Sequence, residues 1–286
     1  GKMTRPGLMQ RVLILLVGAV TLIAGAQAQA DAVFDPPDPE TDTLVDRCLD
    51  APGLSVLSGT DVICYNDAIF PEQFLKLREM PPASRIIITS PGGNVATARM
   101  MSTILDDRGE PAVIAGPCMS ACAMVILPGM DSVHIHHTAH IAVHGITMMD
   151  YRTWWGWLRN DAEPQAAAAM MAHMGYDFGY ALHNSGRTHM RRHLEGQHVD
   201  IGYIDTISAA MQADALDHDC RVAPKNYWGI LNAAHLRAYL GDRLTRVEAF
   251  AQSWDDPNNS AYKRVTHPIA ARTYIFNQDY EEARCP

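Results

Sequence analysis

Positive charge is scarce in this chain. It has 23 Lys and Arg against 32 Asp and Glu, a formal charge of −9 at neutral pH. Nucleic acids and anionic membranes are bound by basic patches, so neither is expected as a partner. Nucleotide loops are missing as well. Gly92-Gly93 lies in neither a GxGxxG nor a GxxxxGK[ST] frame. No HExxH pair accompanies the histidines. No internal repeat is visible. After residue 25 no apolar run approaches the ~20 residues that span a bilayer. What remains is a chain of 286 residues that is 48% hydrophobic, enough for one large domain with appendages.

The first thirty residues read as a secretory signal peptide. Lys2, Arg5 and Arg11 form a basic start, VLILLVGAVTLIAG an apolar centre, and AQAQA a run of small residues suited to cleavage after Ala28 or Ala30. An exported protein, periplasmic or secreted, is expected, with no stable membrane span once the signal is cut. Its loss removes three basic residues and makes the mature chain more acidic still. Export implies an oxidising compartment. The six cysteines could pair there, and Cys48–Cys64 and Cys220–Cys285 are plausible bridges. Residues 31–50 are expected to be a linker, because DAVFDPPDPETDT at their start is acidic and proline-rich. Residues 51–246 are expected to hold an α/β domain and 247–286 a C-terminal tail.

Hydrophobic periodicity sets out that domain. Helical spacing runs over 68–79 and 94–107. RIIIT at 85–89 is a buried strand by its β-branched content, and strands follow at 112–115, 132–136 and 141–143. Alternating strands and helices predict an α/β fold with a mostly parallel sheet. The second half reads as helices over 162–175, 176–194, 204–216 and 231–240.

Three junctions concentrate residues with chemical potential. Gly92-Gly93 follows a strand and precedes a helix, where backbone amides face outward and can hold an anion. Ser120, in GPCMSACAM, sits at a second such junction, with the Ala121 amide beside it. His144 ends a strand, HIAVHG. Open α/β sheets place ligands at the carboxyl ends of their strands. A serine, a histidine and two amides gathered there suit acyl transfer.

IIITSPGGNVATARMM, AVIAGPCMSACAMVILPG and HIAVHG, in this order, resemble the Clp-protease/crotonase superfamily, and most of all exported relatives of the Clp peptidase subunit. The resemblance covers roughly residues 54–145. It implies repeated ββα units and a serine peptidase or related hydrolase. Ser120 would be the nucleophile and His144 the general base. Gly92 or Gly93, with Ala121, would form the oxyanion hole. No cofactor and no metal are implied. The substrate would be a peptide or protein, and the family leaves room for a homo-oligomer. Cys118 and Cys122 would pack as small hydrophobes, since i and i+4 positions seldom aim their Cβ vectors together. The family's aspartate precedes a helix resembling LNAAHLRAYLG. Here Asn226 stands closest by position, with Asp219 the nearest acid and Asp205 a weaker candidate.

Other readings stay open. Ser120 could be an ordinary helix cap. The chain could be a non-catalytic interaction protein on the same scaffold, which an asparagine at the third position favours. A crotonase-like acyl-CoA enzyme is disfavoured by export. A Ser–Lys dyad is disfavoured because Lys76, Lys225 and Lys263 are the lysines of the mature chain. His134, His136, His137, His140 and His144 are expected at exposed or strand-edge positions rather than on a metal. Trp154, Trp155 and Trp157 suit a substrate groove, a subunit interface or core packing equally well.

Overall fold

The computed structural model describes residues 33–144, 175–217, 227–252 and 272–276, and the account concerns the unit that begins at Asp35. In order, the elements are α1 (Pro39–Asp50), β1 (Gly53–Val56), β2 (Val62–Asn66), α2 (Pro71–Glu79), β3 (Arg85–Ser90), α3 (Val95–Arg108) and β4 (Ala112–Met119). A π-helical turn (Cys122–Ile126) and a 3-10 turn (Leu127–Gly129) come next. Then follow β5 (Val133–Ile135), β6 (His140–His144), α4 (Tyr176–Gly196), α5 (Gly202–Asp217), β7 (Tyr227–Leu231), α6 (Ala233–Leu240), β8 (Leu244–Val247) and β9 (Arg272–Phe276).

The protein is α/β with a mostly parallel mixed sheet. The main path runs β1-β2-β3-β4-β6-β7-β9, and β5 joins β4 to β8. Only β1 with β2 and β6 with β7 pair antiparallel among the described strands. Ile86, Ile87 and Ile88 of β3 are fully buried, as expected of a strand covered on both faces. α3 starts where Asn94 Oδ1 accepts the Thr97 amide at 2.8 Å. It ends at Gly109, whose φ of 66° gives the left-handed cap that glycine adopts without strain.

β4 changes partner along its length. Ala112–Ile114 pair with β5, and Pro117–Met119 pair with β6. The change falls at Gly116-Pro117, where the register with β3 slips from Ile88↔Ile114 to Ser90↔Cys118. Gly116 takes φ 57°, and a Cβ there would lie 2.7 Å from Thr89 Oγ1. The expected strand at 112–115 therefore continues past the bulge to Met119, straight to the serine.

Two expected boundaries are corrected. Residues 39–50 are not linker: α1 buries Leu44, Val45, Cys48 and Leu49 and is tied to β2 by a Cys48–Cys64 disulfide. Asp38 caps it and Pro39 opens it, so the prolines and acids read as linker are a helix start. Nor does the domain stop at 246. Val247, Phe250 and Ala251 are buried, Glu248 forms a bridge with Asp35, and β9 adds to the sheet beside β7. The Cys220–Cys285 pairing, the signal segment, the tryptophan run at 154–157 and the helix expected at 162–175 lie outside the described residues, except for Gly175 itself.

Candidate functional site

Ser120 occupies the turn between β4 and the π-helical segment, with φ 54°. A non-glycine residue there is uncommon and strained, and such residues cluster at functional turns. The turn is held from several sides. The Ser120 amide donates to Ala142 O of β6 at 2.8 Å, and Met124 N donates to Ser120 O at 2.9 Å. Behind it, the buried Tyr203 hydroxyl of α5 donates to Ala123 O at 2.6 Å. Burial pushes that phenol well above the ordinary tyrosine range, so it stays a donor. The segment Cys122–Ile126 is π-helical, a form often found at functional sites.

The Gly92-Gly93 turn packs directly on this elbow. A Cβ at Gly92 would meet Met119 O at 2.5 Å, Ser120 Cβ at 2.6 Å and Ala121 N at 3.1 Å. The two glycines differ in what their amides do. Gly92 N–H donates to Ser90 Oγ at 3.1 Å. Gly93 is bridged to Ile69 through its neighbours: Ile69 N donates to Gly92 O, and Asn94 N donates to Ile69 O, both at 2.8 Å. In an extended segment the next amide points the other way, so the Gly93 N–H faces away from Ile69. Of the two glycines offered by the sequence, Gly93 has the available amide and Gly92 supplies the close approach.

β6 brings His144 to the same edge. Cys118 pairs with Ile141 and Met119 with Ala142. The Ser120 amide, bonded to Ala142 O, sets the serine turn beside β6 two residues before His144. β7 runs antiparallel to β6, with Trp228 opposite His144. β7 therefore begins at the edge where β6 ends. Asn226 and Asp219 lie outside the described residues. Asp205 is described and is taken: it forms an ion pair with Arg191 of α4.

The flanking cysteines do more than pack. Cys118 and Cys122 form a disulfide across Ser120, with Cα atoms 5.2 Å apart. The expectation that positions i and i+4 would not meet is overturned. Here Cys118 ends a strand, Cys122 begins a helical turn, and the left-handed serine between them folds one back onto the other. Their separation is that of an ordinary disulfide.

No protein-family model matches this chain, and no curated protein does.

A second cluster lies at the end of β5. His134, His136 and His140 are buried, not exposed. His134 Nε2 contacts Glu248 Oε1 at 2.8 Å, and His136 Nε2 contacts Asp42 Oδ1 at 2.7 Å. Burial lowers both imidazoles below their usual range, against the pull of Glu248 and Asp42. The sequence offered no signal for this grouping, since Asp42 and Glu248 come from opposite ends of the domain.

Proposed function

We propose that the chain is a Clp-type serine hydrolase, a peptidase exported to the periplasm or beyond the cell, in which Ser120 is the nucleophile and His144 the general base. The carrying observation is the contact of Gly92 with Ser120 and Ala121. It joins the double glycine and the serine turn, which the sequence could only order along the chain.

In this reading the Ser120 hydroxyl attacks an acyl carbon and passes its proton to the His144 imidazole. The amides of Gly93 and Ala121 receive the charge on the carbonyl oxygen. Each such donor is worth on the order of 10²–10³ in turnover. His144 returns the proton to the leaving amine, and water then releases the acyl group. The segment 217–226 supplies the group that orients His144, Asn226 or Asp219. Support comes from β7, which begins at the same sheet edge. Repeated ββα units and a peptide or protein substrate belong to the same proposal, which also leaves room for a homo-oligomer.

The test is labelling with a fluorophosphonate probe. The wild type labels, and Ser120→Ala does not while keeping its fold by circular dichroism. A folded wild type that takes no label favours the non-catalytic scaffold. Label retained by Ser120→Ala refutes the assigned nucleophile.

A further inference from the structure

Asp42, His136, His137 and Glu248 each direct one ligand atom to a common point, with all four atoms within 4.8 Å of one another. They come from three separate places. Asp42 lies in the first turn of α1, His136 and His137 follow β5, and Glu248 follows β8. The backbone fixes each one. His136 N donates to Ile114 O at 3.0 Å, Glu248 N to Ile135 O at 2.9 Å, and His137 N to Glu248 Oε2 at 3.0 Å. Glu248 is fully buried, and His136 is 1% exposed.

Two observations favour a cation at this point. His137 Nδ1 is buried and has no hydrogen-bond partner, although it lies 3.4 Å from Glu248 Oε2 and 3.6 Å from Asp42 Oδ1. A buried polar atom left without a hydrogen bond is costly. The donor set is the second: two carboxylates and two imidazoles suit a divalent ion. Arg246 Nε lies 3.4 Å from Glu248 Oε1.

We propose that these four residues form a binding site for a divalent cation of the zinc class, which clamps α1 and the segment after β8 onto the end of β5. Four ligand–ligand edges measure 2.7, 3.4, 3.6 and 4.0 Å. A tetrahedron with bonds of ~2.0–2.1 Å has edges of about 3.3 Å, so small side-chain adjustments complete it. Imidazole with carboxylate suits zinc and its first-row neighbours better than calcium or magnesium. A supporting shell is present. His134 and Arg246 hold the other Glu248 oxygen. Thr138 Oγ1 lies 2.8 Å from His136 Nδ1 and accepts the Gly116 amide at 3.2 Å. The Thr138 amide donates to the same Nδ1 at 3.2 Å.

The test uses the full chain with its disulfides formed, stripped with chelator and titrated with Zn2+ and with Co2+. The variants are Asp42→Asn and His137→Gln, whose side chains are partly exposed (33% and 37%) and suited to folding. His189→Gln on the exposed face of α4 is the control. The expected result is one zinc per chain, a higher melting temperature with zinc, and tetrahedral cobalt bands. Asp42→Asn and His137→Gln should each weaken binding by at least about tenfold, the cost of losing even a supporting residue. His189→Gln should bind as the wild type does. Absence of stoichiometric binding by the wild type overturns the proposal. So does binding unchanged in the two ligand variants, because the ion then sits elsewhere.

Discussion

Gly92→Ala is the sharpest perturbation of the candidate site, because two separate costs can be worked out and divided. Gly92 has φ 94°, and a Cβ there would stand 2.5 Å from Met119 O and 2.6 Å from Ser120 Cβ. An alanine in that backbone region costs roughly 1–3 kcal/mol in strain. The neighbours are backbone and a Cβ, not the far end of a flexible chain, so overpacking adds roughly 1–3 kcal/mol. The expected loss is about 2–6 kcal/mol. At ~2–4 °C per kcal/mol for a domain of this size, the melting temperature should fall by at least about 4 °C. Gly59→Ala provides the comparison. Gly59 has φ 72° with nothing within 4 Å of a built Cβ, so it carries strain without collision. Thermal melts of both variants, followed by fluorophosphonate labelling below their melting points, separate the two terms. Gly92→Ala should lose more stability than Gly59→Ala and should lose labelling, since relief of the clash moves Ser120. A Gly92→Ala protein as stable as Gly59→Ala, with full labelling, would refute the packing of the double glycine on the serine turn.

The two disulfides should be unequal. Loop entropy gives about 3 kcal/mol for Cys48–Cys64 and about 2 kcal/mol for Cys118–Cys122, whose sequence separations are 16 and 4. Chemical denaturation of Cys48→Ala/Cys64→Ala against Cys118→Ala/Cys122→Ala checks the order, and the reverse order would contradict the entropic account. The second double variant should still label at Ser120; its loss of label together with labelling of Ser120→Ala would move the chemistry to sulfur. His235 should make the fold acid-sensitive. It is 2% exposed, its Nε2 has no hydrogen-bond partner, and burial lowers it to about 4. The unfolded chain then binds the proton first. Stability contributed by the neutral ring is complete above about pH 6.5 and is lost as pH falls toward 4, at up to ~1.4 kcal/mol per pH unit. His235→Leu should flatten that part of the stability–pH curve, and parallel curves for the two proteins would refute the assignment.

Several elements were legible in the sequence because their causes are local. Three consecutive isoleucines make a strand buried on both faces. Asn94 and Gly109 bound a helix by capping within their own turns. Gly92-Gly93, Ser120 and His144 announce three strand ends by residue type alone. α1 was missed for an equally local reason: Asp38 and Pro39 suit a loop and a helix start alike. Whether Leu44, Val45 and Leu49 are covered depends on the sheet beneath them.

The amino-acid sequence by itself determined where strands and helices alternate, which turns require glycine, and which residue types stand at the sheet's carboxyl edge. Tertiary structure decided what those residues meet. It closed the Cys118–Cys122 disulfide around a left-handed serine and set Gly92 against that serine. It also turned β4 from β5 to β6 at Gly116 and brought Asp42 and Glu248 to His136 and His137. The reason is physical. Propensity and capping act within a turn or two of chain, whereas a disulfide, a close backbone contact or a ligand set depends on distances between segments that become neighbours only when the sheet assembles.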